Sequence, residues 1–214
     1  MTSQITLWGR KTSANVQKVL WTLAELDLDY VRVDIGGKFG GNDLPDYRAM
    51  NPNGLVPALR DGDLIMWESN AIVRYLAASY GKGTLWPESP VERALVDQWA
   101  DWSCSTFQPA WLNIFLNLVR VPAEKRDQAK VDACVAATVK AFEVMQTQLA
   151  RTPYLAGDRL TYADIVAGAG LYRWETMEID RPALPHIEAW HARLKERQAF
   201  RDSVEIDYSE LRAS

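Results

Sequence analysis

The chain has 214 residues, 24 Lys and Arg against 28 Asp and Glu, a formal charge of −4 and an isoelectric point near 5.3. At roughly 150 residues per domain, this length predicts one or two domains and a sizeable core. The acidic balance argues against the clustered basic surface of a nucleic-acid binder, and no apolar run approaches the roughly 18 residues that cross a bilayer.

The first residues run straight into a strand-like pattern, so no signal peptide is expected. Cys104 and Cys134 lie outside any Cys-x-x-Cys pattern, which fits a reducing cytoplasm. His186 and His191 are the only histidines, and no Cys/His cluster has ligand spacing, so no metal is expected. Nine tryptophans are many for this length and call for large aromatic surfaces in a core or a pocket.

Residues 4–8 alternate as a short strand, with Ile5 and Leu7 on one side. Val16, Val19, Leu20, Leu23 and Leu26 then form an apolar stripe at helical spacing, and residues 30–34 alternate again. Strand, helix and strand within about 30 residues is the length of a βαβ unit. Four glycines and a proline make residues 35–49 an expected irregular segment, and Asn51-Pro52-Asn53-Gly54 reads as a turn. Residues 56–59 and 64–67 are two further strands around an Asp-Gly hairpin signal, and Glu68-Ser69-Asn70 opens a helix. Residues 1–80 therefore read as β-α-β followed by β-β-α.

Residues 81–90 read as a linker, within a Gly- and Pro-rich stretch. From 91 to 214 the period is helical, with helices expected near 91–119, 123–150, 162–175 and 185–197, and a short one near 199–204. Pro109 is expected to bend or break the first of these. Thr161-Tyr162-Ala163-Asp164 has capping-box spacing and is expected to start a buried helix.

Taken together, the β-α-β and β-β-α order, Val56-Pro57, Glu68-Ser69-Asn70-Ala71-Ile72 and a helical second half with its capping box resemble the cytosolic glutathione S-transferases over nearly the whole chain. The resemblance implies an α/β thioredoxin-like N-terminal domain, an all-α C-terminal domain, a homodimer, and glutathione as co-substrate. It implies a cis bond at Pro57 that leaves the Val56 N–H and C=O facing the peptide, available for a short strand addition. Ser69 would take the γ-glutamyl carboxylate at a helix N-terminus, Glu68 would face the γ-glutamyl amine, and Asn53 and Lys38 would lie near the rest of the peptide. Leu55 stands where the family often has Lys or Gln, which removes one polar contact. Pro57 also reads as an ordinary edge-strand proline, and Ser69 as a simple helix cap.

The resemblance places the thiol-activating donor in the loop after the first strand, here Gly9-Arg10-Lys11-Thr12-Ser13-Ala14-Asn15. Neither Tyr nor Cys is present, which points to the serine-type, theta-like branches or to a bacterial disulfide-reductase-like branch. Ser13 is the first candidate donor, Asn15 the second and Thr12 the reserve. Ser13 or Asn15 as a mere helix cap is the plainer alternative. Arg10 and Lys11 add positive charge nearby.

Trp99, Trp102 and Tyr172 are candidates to line an apolar pocket for an electrophile, with core packing as the alternative. The leading expectation is an enzyme that directs glutathione thiolate at an apolar electrophile. The alternatives are a glutathione-dependent disulfide or peroxide reductase, and a non-catalytic ligand-binding scaffold.

Overall fold

The computed structural model describes residues 4–213. Four strands, β1 (Ile5–Trp8), β2 (Tyr30–Val33), β3 (Ala58–Asp61) and β4 (Leu64–Trp67), form one sheet in the order β2-β1-β3-β4. β1 pairs with β2 in parallel, while β1–β3 and β3–β4 are antiparallel. The parallel pair requires a crossover, which is α1 (Ala14–Glu25), and the antiparallel β3–β4 pair needs only the Gly62-Asp63 turn, with Gly62 at φ +59°. α2 (Pro45–Met50) and α3 (Ser69–Tyr80) complete this half.

α1 buries Val16, Val19, Leu20 and Leu23 as its period predicts, against Ile72, Val73 and Leu76 of α3 and Leu7 and Leu59 of the sheet. β2 and β4 are the two sheet edges, with Tyr30, Val31 and Val33 exposed on one and Leu64, Ile65 and Trp67 on the other. The third strand begins two residues later than its apolar pattern suggests, because Pro57 has no N–H to give the ladder. α2 falls inside the segment expected to be irregular. Pro45 at its first turn and Asp46 beside it are helix-start signals that the surrounding glycines mask.

The helical half contains α4 (Pro90–Trp102), α5 (Gln108–Val119), α6 (Gln128–Leu149), α7 (Tyr162–Gly168), α8 (Leu171–Thr176), α9 (Pro185–Lys195) and α10 (Gln198–Val204). The expected 91–119 helix is interrupted by a π turn at Ser103–Phe107, just ahead of Pro109. The backbone stays right-handed helical at both joins, so the proline shifts the hydrogen-bond register and does not end the rod. The expected 162–175 helix divides into α7 and α8 at Ala169-Gly170. A Cβ on Gly170 would come within 2.6 Å of the Trp111 ring, so glycine there lets α5 and α8 close together.

The two halves meet at α1, α3 and α7. Trp21 packs edge-on against Phe200 of α10, with ring centroids 4.9 Å apart, and Arg197 binds Glu25 in a fork at 2.7 and 2.5 Å. Arg74 of α3 pairs with Asp97 and Asp101 of α4, and the Tyr162 hydroxyl of α7 donates to Asp97 at 2.8 Å. Among the described residues no helix is long and apolar enough to cross a membrane.

Candidate active site

The loop between β1 and α1 is held close to the helix by Gly9, where a Cβ would sit 2.4 Å from Val16. Thr12, Ser13 and Asn15 therefore cluster at the N-terminal end of α1. Their hydrogen bonds separate them. The Thr12 hydroxyl donates to Glu210 at 2.9 Å, and the Thr12 carbonyl accepts from Arg173 at 2.8 Å. Ser13 is the residue before α1, half-buried, and its hydroxyl makes no capping hydrogen bond. Its position suits a cap, yet its side chain does not serve as one. Asn15 is tied through its carbonyl oxygen, which accepts from the Gln108 amide at 3.0 Å.

Gln108 is itself oriented from below. The Lys18 ammonium, wholly buried on α1, donates to the Gln108 oxygen and to the Asn70 oxygen of α3 at 3.0 Å. Because Lys18 has only donors, it fixes the Gln108 oxygen downward and the Gln108 NH2 toward Asn15. Asn15 must then accept with its oxygen, which leaves its NH2 available as a donor. Burial pulls the Lys18 ammonium down to about 8, against the opposing pull of Cys104 and Glu68. Three residues from different elements thus set the direction of one amide. Neither Lys18 nor Gln108 was legible as a site residue, because Lys18 sits inside an apolar helical stripe and Gln108 is 93 residues from Asn15.

Ser13 and Asn15 line a cavity of about 130 Å³. Its apolar wall includes Leu112, Phe115 and Leu116 of α5, and Arg10, Arg120 and Arg173 also reach it. Trp99 and Trp102, expected to line the pocket, do not line this cavity. They pack edge-on to each other at 5.4 Å, and Trp102 stacks on Phe107, which contacts Phe142 in the core. Tyr172 faces Tyr208, and it is Tyr208 that packs on the cavity residue Phe115. An aromatic stripe marks buried surface whether it lies in a core or a pocket, so composition alone does not separate the two.

The Val56-Pro57 bond is cis, and the half-buried Val56 makes no backbone hydrogen bond among the described residues. Its position is set by the Leu55 carbonyl, which accepts from the Tyr47 hydroxyl at 2.6 Å and the Asn51 amide at 2.8 Å. Asn53 is exposed, with its N–H on the Asn51 oxygen at 3.1 Å. Glu68 precedes α3 at φ +71°, a conformation that costs a non-glycine residue on the order of 1–3 kcal/mol and that concentrates at ligand clamps. Ser69, buried at the first position of α3, makes no side-chain hydrogen bond among the described residues. Lys38 is elsewhere engaged: its ammonium pairs with Glu210, the carboxylate that also receives the Thr12 hydroxyl.

Comparison with known proteins decides the family. Residues 3–78 match the family model described as glutathione S-transferase, N-terminal domain, and residues 107–198 match its C-terminal domain. The chain belongs to the glutathione S-transferase family. It is 45% identical over 207 residues to glutathione S-transferase GstB of Escherichia coli K12, covering 96% of this chain and 100% of that one. Glutathione S-transferase 3 of Zea mays is 35% identical, with 92% of each chain covered. Among solved structures, the theta-class glutathione S-transferase of Xanthomonas axonopodis pv. citri with glutathione bound superposes with a TM-score of 0.92 at 47% identity, covering 97% of this chain and 99% of that one. The fold of this glutathione S-transferase family member, a thioredoxin-like domain followed by a helical one, is the one expected from the order of its elements.

Proposed function

We propose that this protein is a glutathione transferase that holds the glutathione sulfur as a thiolate and directs it at an electrophile with an apolar body. In this reading residues 1–80 bind the tripeptide and residues 91–214 carry the second substrate, across the 81–90 linker. The cysteinyl backbone pairs with the Val56 N–H and C=O beside Pro57. The γ-glutamyl carboxylate meets Ser69 at the N-terminus of α3, where the helix dipole favours an anion. Glu68 faces the γ-glutamyl amine, and Asn53 and Lys38 lie toward the rest of the peptide. The family-typical homodimer and a cytoplasmic location complete the reading.

The observation that carries it is the Ser13 hydroxyl, which lines the cavity and makes no hydrogen bond among the described residues, next to the Asn15 amide, whose oxygen is held by Gln108 so that its NH2 remains to donate. A free thiol titrates near about 8.5, and one charge-assisted hydrogen bond is worth roughly 1.5–3 kcal/mol, or about one to two pKa units. Two donors suffice to keep the sulfur ionised at neutral pH. Ultraviolet difference titration with glutathione tests this by reading thiolate absorbance across pH. Ser13→Ala is expected to raise the bound thiol pKa by about one unit while glutathione affinity stays close to wild type. An unchanged thiol pKa would move the role to Asn15 or Thr12, and a wild-type protein that binds glutathione without forming thiolate would be a carrier.

A further inference from the structure

Arg10, Arg120 and Arg173 reach the cavity from three separate parts of the chain: the loop after β1, the C-terminal end of α5 and the middle of α8. Among the described residues none of the three forms an ion pair with a carboxylate. Arg173 is buried, and its guanidinium donates to two neutral acceptors, the Gln17 oxygen and the Thr12 carbonyl, both at 2.8 Å. Arg10 holds its Nε in a buried position with no partner among the described residues, and Arg120 is exposed. The carboxylate closest in influence, Glu210, is already matched by the Lys38 ammonium and the Thr12 hydroxyl. Burial lowers the Arg10 and Arg173 guanidiniums, and repulsion among the three arginines lowers them further. Such an arrangement is costly when empty of anions and strongly favourable to one.

Resting on the transferase reading, we propose that the second substrate carries a carboxylate, held by Arg120 and Arg10, with its apolar body against Leu112, Phe115 and Leu116. In the transferase reading the tripeptide's γ-glutamyl carboxylate is assigned to Ser69 on α3, which is not among the residues lining this cavity. Two of the three cations belong to the helical half, which in this reading carries the electrophile. A cavity of about 130 Å³ takes a small molecule or one end of a larger one. In the reaction the thiol proton is released to solvent as the thiolate forms. The sulfur then bonds to the electrophilic carbon while the bond to the leaving group breaks, and the leaving group departs with the electron pair. The carboxylate is unchanged and serves only as a handle.

The test compares 4-(bromomethyl)benzoate with its neutral amide, whose reacting carbons are alike, in wild type, Arg120→Gln and Arg120→Lys. The ratio of kcat/KM, carboxylate over amide, is expected to exceed one in wild type. It should fall roughly tenfold in Arg120→Gln, the effect of losing one charge-assisted hydrogen bond at a partly exposed site, and largely return in Arg120→Lys. A ratio that does not move in Arg120→Gln overturns the proposal. So does a variant whose loss lies in glutathione affinity, measured by calorimetry, since that assigns the cations to the tripeptide. Turnover of neither compound by wild type also overturns it. Thiolate formation in that case leaves the transferase reading standing, and its absence removes both.

Discussion

Lys18 and Asp164 are each wholly buried charged residues of the same core, and their surroundings differ. Asp164 receives four donors: the Leu155 N–H at 3.0 Å, the Thr161 N–H at 2.9 Å, the Thr161 hydroxyl at 3.2 Å and the Trp190 indole N–H at 3.1 Å. Burial raises its carboxyl to about 6 against these bonds. The group still ionises at neutral pH, and the cluster ties α7, α9 and the preceding loop into one unit. Among the described residues Lys18 has two acceptors for three N–H groups, and the NH2 of its partner Asn70 is buried without a partner. Its cluster ends at Asn15 on the cavity wall. A saturated polar cluster holds the fold, whereas one with unmatched atoms beside a cavity orients groups for something that enters.

The largest expected effect breaks the saturated cluster. Asp164→Ala leaves four buried donors unpaired and removes a helix cap, and it should lower stability by about 3–5 kcal/mol. Urea denaturation followed by circular dichroism measures this. The thiol pKa of whatever protein remains folded should be that of wild type. A shift there would show that the two clusters communicate and would end the distinction.

A pH series on Lys18 separates them next. Its folded pKa lies near 8 and its unfolded value near 10.5, so between these the unfolded chain binds the extra proton. Stability contributed by this group therefore rises as pH increases from 8 to 10, by about 2 kcal/mol. Above 10 the slope reverses, because Tyr47, Tyr80 and Tyr162 all titrate later in the folded state than in the unfolded one. In Lys18→Met the rise between pH 8 and 10 should vanish, which urea midpoints at the two pH values would show. The same variant should raise the bound thiol pKa, since Gln108 loses the donor that fixes its amide. A thiol pKa unaltered by Lys18→Met would reduce the lysine to a structural role.

The sequence carried most of the framework and only part of this chemistry. The stripe from Val16 to Leu26, the hairpin at Gly62-Asp63 and the capping-box spacing at Thr161 are local patterns, and each names its element directly. The need for glycine at position 170 was not legible, because the ring it makes room for, Trp111, is on another helix. For the same reason the Asp164 capping box was visible while its bonds to Leu155 and Trp190 were not. At the candidate site, Ser13, Asn15 and Arg10 lie within one loop and could be singled out there. Gln108, Arg120 and Arg173 reach that loop across about a hundred residues or more, and they carry no motif. Trp99 and Trp102 show the converse, since residue type left both a pocket and the core open and only the structure shows that they pack beside the core.

The smallest expected effect comes from the neighbours Thr12 and Ser13, which repeat the contrast between Lys18 and Asp164 at the scale of one hydroxyl. The Thr12 hydroxyl is committed to Glu210, whose second oxygen holds Lys38, so it links the thiol loop to the C-terminal segment and to the loop after β2. Glu210 is held below the usual carboxylate range, first by Lys38 and then by Thr12. Thr12→Val keeps the shape and removes the donor. Glu210 is solvent-exposed and retains Lys38, so the stability loss should stay within about 1 kcal/mol. The thiol pKa should stay within a few tenths of a unit of wild type, against about one unit for Ser13→Ala. Measured side by side in the same thiolate titration, the two variants distinguish the hydroxyl that builds the loop from the hydroxyl that faces the sulfur. If Thr12→Val shifts the thiol and Ser13→Ala does not, the hydrogen bond to Glu210 must break when glutathione binds, and Thr12 becomes the donor.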